Sequence, residues 1–325
     1  MKAMIIKQLG SSDVFELAEK AKPTLKPGHM LVEVKASSVN PLDTMLRSSD
    51  TPWSANLPEI LHGDVAGIVT EIGGDVSHFS VGDEVYGCAG GIAGIDGALA
   101  EFMLVDADLM AHKPKTLTMK EAAALPLVSI TAWEALHNKL AIKKGDNVLV
   151  HGATGGVGHI AIQLAKYFGA NVTATSMPKN MAIAETIGAD NLVNVAEQSV
   201  QEYVDQYTDG IGFDAIFDTV AGENIQGSFE AARFYGGVAT TLPIENVLQV
   251  ALKSLSFHSV LMLIPMVEGI NRKSHGEILT KVAELVDLGV VKPLLDDSDF
   301  TIWQVADAHA RLESGAAVGK IALRV

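Results

Sequence analysis

Residues 148–158 read Val-Leu-Val-His-Gly-Ala-Thr-Gly-Gly-Val-Gly, and the apolar stretch 157–168 has the character of a helix. An apolar strand that enters a glycine-rich turn and leaves it as a helix is the opening of a βαβ unit. The residues explain why. Glycines 155 and 156 let backbone N–H groups come close to a pyrophosphate, and the helix N-terminus adds a partial positive charge. Gly158 lets the helix pack near the sheet. The spacing Gly152-x-x-Gly155-Gly156-x-Gly158 departs from G-x-G-x-x-G, with Ala153 and Thr154 in the early part of the turn. The segment predicts a dinucleotide site on Thr154, Gly155, Gly156 and Val157. The competing reading is a tight strand–helix turn without ligand.

The next strand narrows the choice of dinucleotide. An NAD site places an acid at its end to grip the ribose 2′-OH. Here the chain reads Val172-Thr-Ala-Thr-Ser-Met-Pro-Lys179, and no Asp or Glu occurs between Asp146 and Glu185. A carboxylate would repel a 2′-phosphate, whereas Ser176 can donate to one and Lys179 carries a charge. NADPH is therefore expected over NADH. Two readings stay open at each residue: Lys179 as phosphate ligand or as a solvated lysine, and Ser176 as ligand or as a helix cap.

The rest of the chain falls into two rhythms. Residues 1 to about 122 are β-rich, with short strand-like runs at 30–35, 66–72 and 98–105 punctuated by Gly and Pro. After the capping box Thr118-x-x-Glu121, strands expected at 147–151, 172–175, 192–195, 214–218, 237–241 and 256–263 alternate with helices. Those helices are expected at 157–168, 179–188, 199–207 and 224–234. Such alternation predicts a Rossmann-type, doubly wound parallel sheet in an α/β protein. Ser274-x-x-Glu277 is read as opening another helix, which Gly289 stops, and 319–325 as a last strand returning to the first domain.

Composition bounds the partners. A chain of 325 residues suggests two domains, and 48% hydrophobic with 19% charged residues is ordinary for a globular enzyme. A net charge of −15 argues against nucleic acid and anionic membranes. The one cysteine, Cys88, forms no internal disulfide and reads as a small buried hydrophobe. With no signal-peptide core and no stretch of about 20 apolar residues, the expected place is the cytoplasm.

Several short segments now fall into a recognisable order: Ser37-Ser-Val-Asn-Pro-Leu-Asp43, Gly63-Asp-Val-Ala-Gly-Ile-Val69, Gly82-Asp-Glu-Val85, Ala122-Ala-Ala-Leu-Pro126, Thr131-Ala-Trp-Glu-Ala-Leu136, the glycine turn and Gly319-Lys320. Over essentially its whole length the chain resembles the zinc-independent quinone oxidoreductase group of the medium-chain dehydrogenase/reductase superfamily. The resemblance implies a GroES-like β-barrel catalytic domain from 1–122 and 266–325 around a nucleotide-binding domain at 123–265. It also implies a homodimer joined near the last nucleotide-domain strand, about Leu255–Leu263. Zinc relatives need Cys, His and a second Cys or acid. Here those places hold Val39-Asn40, Gly63 with Asp64 in the acid place, and Leu127, while His62 lies one position off. No metal site is expected.

Without metal, hydride transfer is easiest to a conjugated acceptor, because conjugation spreads the arriving charge onto oxygen. A quinone or another α,β-unsaturated carbonyl is the expected substrate. The runners-up are a zinc-free alcohol or carbonyl dehydrogenase and a non-catalytic NADPH-binding protein. By the same resemblance Asn40 is the leading polar residue at the reacting end, with an Asn-Pro turn as its other reading. Asp43 orients that loop rather than moving a proton. Thr131, placed at a helix start, faces the nicotinamide or is an ordinary N-cap. Trp53 replaces a family tyrosine and can stack on a flat acceptor but cannot act as a phenolic acid. Thr219, Leu242 and Lys320 complete the expected cofactor contacts, with a surface lysine the other reading of Lys320.

Overall fold

The computed structural model describes residues 1–244 and 246–325. They form two compact units: Met1–Leu127 with Leu263–Gly289 and Leu295–Val325, and Val128–Met262 with Val290–Leu294. The breaks lie up to five residues from those expected, and 290–294 belongs to the second unit rather than the first. A side chain explains the reassignment. Gln163 donates from Nε2 to the Lys292 carbonyl (3.0 Å) and accepts the Lys292 N–H at Oε1 (2.8 Å). Its amide thus stands in for a strand partner, which no periodicity reveals.

In the first unit β1 (Lys2–Ile5) pairs with β2 (Glu16–Glu19). The larger sheet centres on β3 (His29–Ser38), flanked antiparallel by β4 (Asp64–Ile72) and the C-terminal strand Ala322–Arg324. It continues from β4 to β5 (Glu84–Cys88); β6 (Phe102–Asp106) pairs with β3, and β7 (Met110–His112) with β5. The tail therefore does return to this unit. Apolar residues from both chain ends, including Ile5, Ile302 and Leu323, share one buried cluster with Leu61 and Leu99. At about 25 cal/mol per Å² of apolar surface, that burial is what holds the ends together. Helix α1 (Pro41–Ser48) starts at Asn40 with Pro41 in its first turn, and α2 (Met119–Ala123) starts on the Thr118–Glu121 capping box.

The second unit is a six-stranded parallel sheet: β8 (Asn147–His151), β9 (Asn171–Ser176), β10 (Asn191–Asn194), β11 (Phe213–Asp218), β12 (Ala232–Thr240) and β13 (Ser256–Ser259). Their order is β10-β9-β8-β11-β12-β13. After α3 (Pro126–Trp133), the crossovers carry α4 (Gly156–Tyr167), α5 (Met181–Ile187), α6 (Val200–Thr208) and α7 (Asn224–Ala231). The order reverses between β8 and β11, so a crevice opens at their carboxyl ends, where such sheets bind ligands.

Local differences from the expected elements have physical causes. β12 begins at Ala232, inside the expected helix 224–234, because an irregular register against β11 lets it pair before the Gly236-Gly237 break. β13 ends at Ser259, short of the expected 263; Val260, Met262 and Leu263 are buried by packing outside the strand. The segment 179–188 opens with a 3₁₀ turn at Pro178–Asn180 before α5. The helix Lys273–Asp287 starts one residue earlier than Ser274, whose hydroxyl donates to the Asn271 carbonyl and caps nothing. No helix among the described residues is long and apolar enough to cross a membrane.

Candidate active site

The glycine turn lies at the carboxyl end of β8. Gly152 takes φ +80°, which suits glycine alone. At Gly158 a Cβ would sit 2.0 Å from the Gly152 carbonyl oxygen. Any side chain there would push α4 off the turn, so Gly158 sets how closely helix and strand approach. Gly155 is the N-cap of α4, and no side chain caps the helix. Gly156 and Val157 form its first turn, whose N–H groups have no partner within the helix.

The end of β9 borders the same turn. Ser176 is buried and donates to the Met177 carbonyl (3.3 Å). It is not a helix cap: Met177 and Asn180 hold the cap positions of the following 3₁₀ turn and of α5. Lys179 lies in that 3₁₀ turn. Asn180, which sequence reasoning missed, donates from Nδ2 to Thr154 Oγ1 at 3.1 Å. The glycine turn and the end of β9 are thereby tied together. Across the crevice the Asp218 carboxylate accepts from the Val220 and Ala221 N–H groups, Asn224 Nδ2 and Ser228 Oγ. It therefore shapes its own loop. Thr219 Oγ1 donates to the His151 carbonyl at 2.6 Å, and Leu242 is about half exposed beyond β12. Thr131 is buried as the sixth residue of α3, so it neither starts that helix nor caps it.

In the first unit a second group of polar side chains is fully buried. Asp64 is its node. Its Oδ2 accepts from Ser38 Oγ (2.7 Å), Asn40 Nδ2 (2.9 Å) and Lys320 Nζ (3.5 Å), and its Oδ1 from the Leu127 N–H (2.9 Å). Lys320 also donates to the Val39 carbonyl (2.9 Å) and Asn40 Oδ1 (2.5 Å). All three ammonium hydrogens are thus used, and Lys320 is only 3% exposed rather than a surface lysine. The bonds also fix the Asn40 amide, oxygen toward the ammonium and nitrogen toward the carboxylate. Asp43 Oδ2 accepts the Asn40 N–H at 2.7 Å. Burial raises the Asp43 carboxyl to about 7, against the pull of the Asn40 N–H bond and with the Asp64 charge adding to the rise. Burial lowers the Lys320 ammonium, while Asp64 and Asp43 oppose that shift.

Beside this node, His62 Nδ1 is 3.3 Å from Ser37 Oγ, and its Nε2 is 2.8 Å from His309 Nε2. His62 stands at φ +72°, unusual for a residue with a side chain. Trp53 is half-buried before the 3₁₀ turn Ser54–Asn56, and its N–H donates to Thr51 Oγ1 (3.3 Å). Among the described residues no three His, Cys, Asp or Glu side chains are grouped to hold a metal ion. The structure thus gathers Asn40, Asp43 and Lys320 in one cluster. It gathers Thr154, Gly155, Gly156, Val157, Ser176, Lys179 and Thr219 at the carboxyl edge of the parallel sheet.

Comparison with known proteins agrees with this architecture. Residues 26–115 match the alcohol dehydrogenase GroES-like domain, and residues 187–323 match a family described as zinc-binding dehydrogenase. The chain is 34% identical to a 2-methylene-furan-3-one reductase of Solanum lycopersicum, over 99% of this chain and 79% of that protein. An alcohol dehydrogenase superfamily protein from Novosphingobium aromaticivorans superposes with a TM-score of 0.94 at 35% identity, covering 100% and 99% of the two chains. The quinone oxidoreductase from Coxiella burnetii gives 0.86 at 29% identity, with 100% and 99% covered. The chain belongs to the medium-chain dehydrogenase/reductase superfamily of oxidoreductases, in its quinone oxidoreductase group.

Proposed function

We propose that this protein is an NADPH-dependent reductase that transfers hydride to a quinone or another α,β-unsaturated carbonyl without catalytic zinc. The observation that carries the cofactor reading is the end of β9. Ser176, Lys179 and Asn180 stand there without a carboxylate, beside a helix N-terminus that no side chain caps. Ser176 and Lys179 would meet the 2′-phosphate, and Thr154, Gly155, Gly156 and Val157 the pyrophosphate. When bound, the reduced nicotinamide supplies the hydride. Asn40 and Thr131 are the proposed residues at the reacting end, and Trp53 a stacking surface for a flat acceptor. The relatives named 2-methylene-furan-3-one reductase and quinone oxidoreductase support that acceptor class.

The donor chemistry in the first unit speaks for a reaction without zinc. The Asp64 oxygens already accept four hydrogen bonds, one of them from an ammonium, and both His62 nitrogens face other side chains. A second cation beside Lys320 would be repelled. Conjugated acceptors then need only modest stabilisation of the developing oxyanion. The outer edge of β13, last in its sheet, is the proposed seam of a homodimer. The buried free Cys88 fits a reducing cytoplasm.

The test is NADPH and NADH oxidation over a panel of quinones, enones and saturated ketones. Turnover of quinones or enones with NADPH is the expected result; turnover of saturated ketones alone would favour the alcohol/carbonyl dehydrogenase. NADPH binding without any turnover would favour a non-catalytic role. Lys179→Ala should raise the KM for NADPH about tenfold, matching about 1.4 kcal/mol of lost charge-assisted contact, and leave the KM for NADH within about twofold. Equal effects on both cofactors would remove Lys179 from the phosphate site.

A further inference from the structure

His151 ends β8 directly before the glycine turn and is only 3% exposed, yet the dinucleotide reading gives it no task. Its Nδ1 lies 3.2 Å from Thr175 Oγ1, and the same oxygen accepts the Gly152 N–H at 3.2 Å. The Thr175 carbonyl accepts the next N–H, that of Ala153, at 2.8 Å. Thr175 therefore holds two successive amides of the turn. His151 Nδ1 and the Gly152 N–H thus share one hydroxyl oxygen. The other ring nitrogen, Nε2, is buried without a hydrogen-bond partner among the described residues. A buried polar atom left unpaired costs stability that an apolar ring of the same shape would not. The ring is thus a poor choice as mere filling, and its useful atom is Nδ1.

The start of the turn is confined on its other side as well. A Cβ at Gly152 would lie 2.9 Å from Thr219 Oγ1, so the loop after β11 leaves that residue little room. We propose that His151 is a positioning residue for the dinucleotide. Through the hydrogen bond between its Nδ1 and Thr175 Oγ1, it fixes the oxygen that holds the Gly152 N–H, and so sets the bend from which the pyrophosphate-binding amides follow. The inference rests on the reading of this turn as the cofactor cradle.

Three variants test it: His151→Phe, Thr175→Val and Thr175→Ser. NADPH affinity is read by fluorescence titration, global stability by thermal melting, and the turn by hydrogen exchange at the Gly152 amide. His151→Phe should melt no lower than the wild type, weaken NADPH binding about tenfold and speed exchange at Gly152. Thr175→Val should weaken binding similarly, and Thr175→Ser should restore it. Unchanged affinity and exchange in His151→Phe would overturn the proposal; so would a fall in melting temperature parallel to the loss of binding, which marks a packing role. If the wild type itself does not bind NADPH, the cofactor reading fails, and Gly152 exchange alone decides whether His151 positions the turn.

Discussion

Lys320→Met is expected to cost about 3–5 kcal/mol of stability in the first unit, the loss typical when one partner of a buried ion pair is removed. Methionine nearly matches the volume of the lysine stem, so the cost would come from polarity rather than a cavity. The Asp64 carboxylate would keep its bonds from Ser38, Asn40 and Leu127 but lose the Lys320 ammonium. The Val39 carbonyl and Asn40 Oδ1 would lose the donor they share. A double-mutant cycle with Asp64→Asn separates this account from general disruption. With the charge removed from both sides, the double variant should be more stable than the summed single losses by at least about 1 kcal/mol. Urea unfolding of the four proteins measures it, and simple additivity would show that ammonium and carboxylate do not depend on each other. The Asn40 amide should also be held less firmly in Lys320→Met, since its oxygen loses the ammonium donor while its nitrogen keeps Asp64, so turnover should fall even where the protein stays folded.

The parallel sheet was legible because its signals are local. A buried strand, a glycine turn and a capped helix each fit within about a dozen residues, and Thr118 caps its helix as its spacing suggests. Nearly every error lay at a boundary decided by long-range contacts: the irregular pairing of β11 with β12, and Gln163 reaching across to Lys292. The site divided in the same way. The glycine turn and the acid-free end of β9 could be read directly. The Asp64 cluster could not, because the chain folds Lys320 back onto residues more than 250 positions earlier. Asn40 and Asp43 were singled out by type and spacing. That the Asn40 amide is clamped between an ammonium and a carboxylate follows only from topology. His309 carried no signal, since nothing around it in sequence hints that its ring meets His62.

That imidazole pair should make the first unit acid-labile. A complete set of donors fixes its tautomers: His309 Nε2–H donates to His62 Nε2, His62 Nδ1–H to Ser37 Oγ, and the Ser37 hydroxyl to the Asp64 carbonyl. His309 Nδ1 is left as a bare buried lone pair. A further proton has two places to go. On His62 Nε2 it would set two N–H groups against each other at 2.8 Å; on His309 Nδ1 it would create a buried cation without an acceptor. Burial therefore lowers both rings, His309 to about 3 with the nearby Arg47 charge adding to the shift, and His62 well below its usual range with His309 and Lys320 adding. The unfolded chain takes up these protons near pH 6.5 while the folded chain does not, so stability falls as pH drops from about 6.5 toward 3. For His309 alone the loss is about 2 kcal/mol at pH 5 and about 3 kcal/mol at pH 4. Asp43 acts in the opposite sense. With its folded pKa raised to about 7, it binds a proton before the unfolded chain does, and it favours the fold as pH falls from 7 toward 4. Comparing the wild type with His309→Phe cancels that contribution. The variant should lose stability less steeply between pH 6 and pH 4, by about 1.2 kcal/mol per pH unit. Urea unfolding at half-unit pH steps reads the difference, and identical slopes in the two proteins would mean that His309 is not held neutral by the fold.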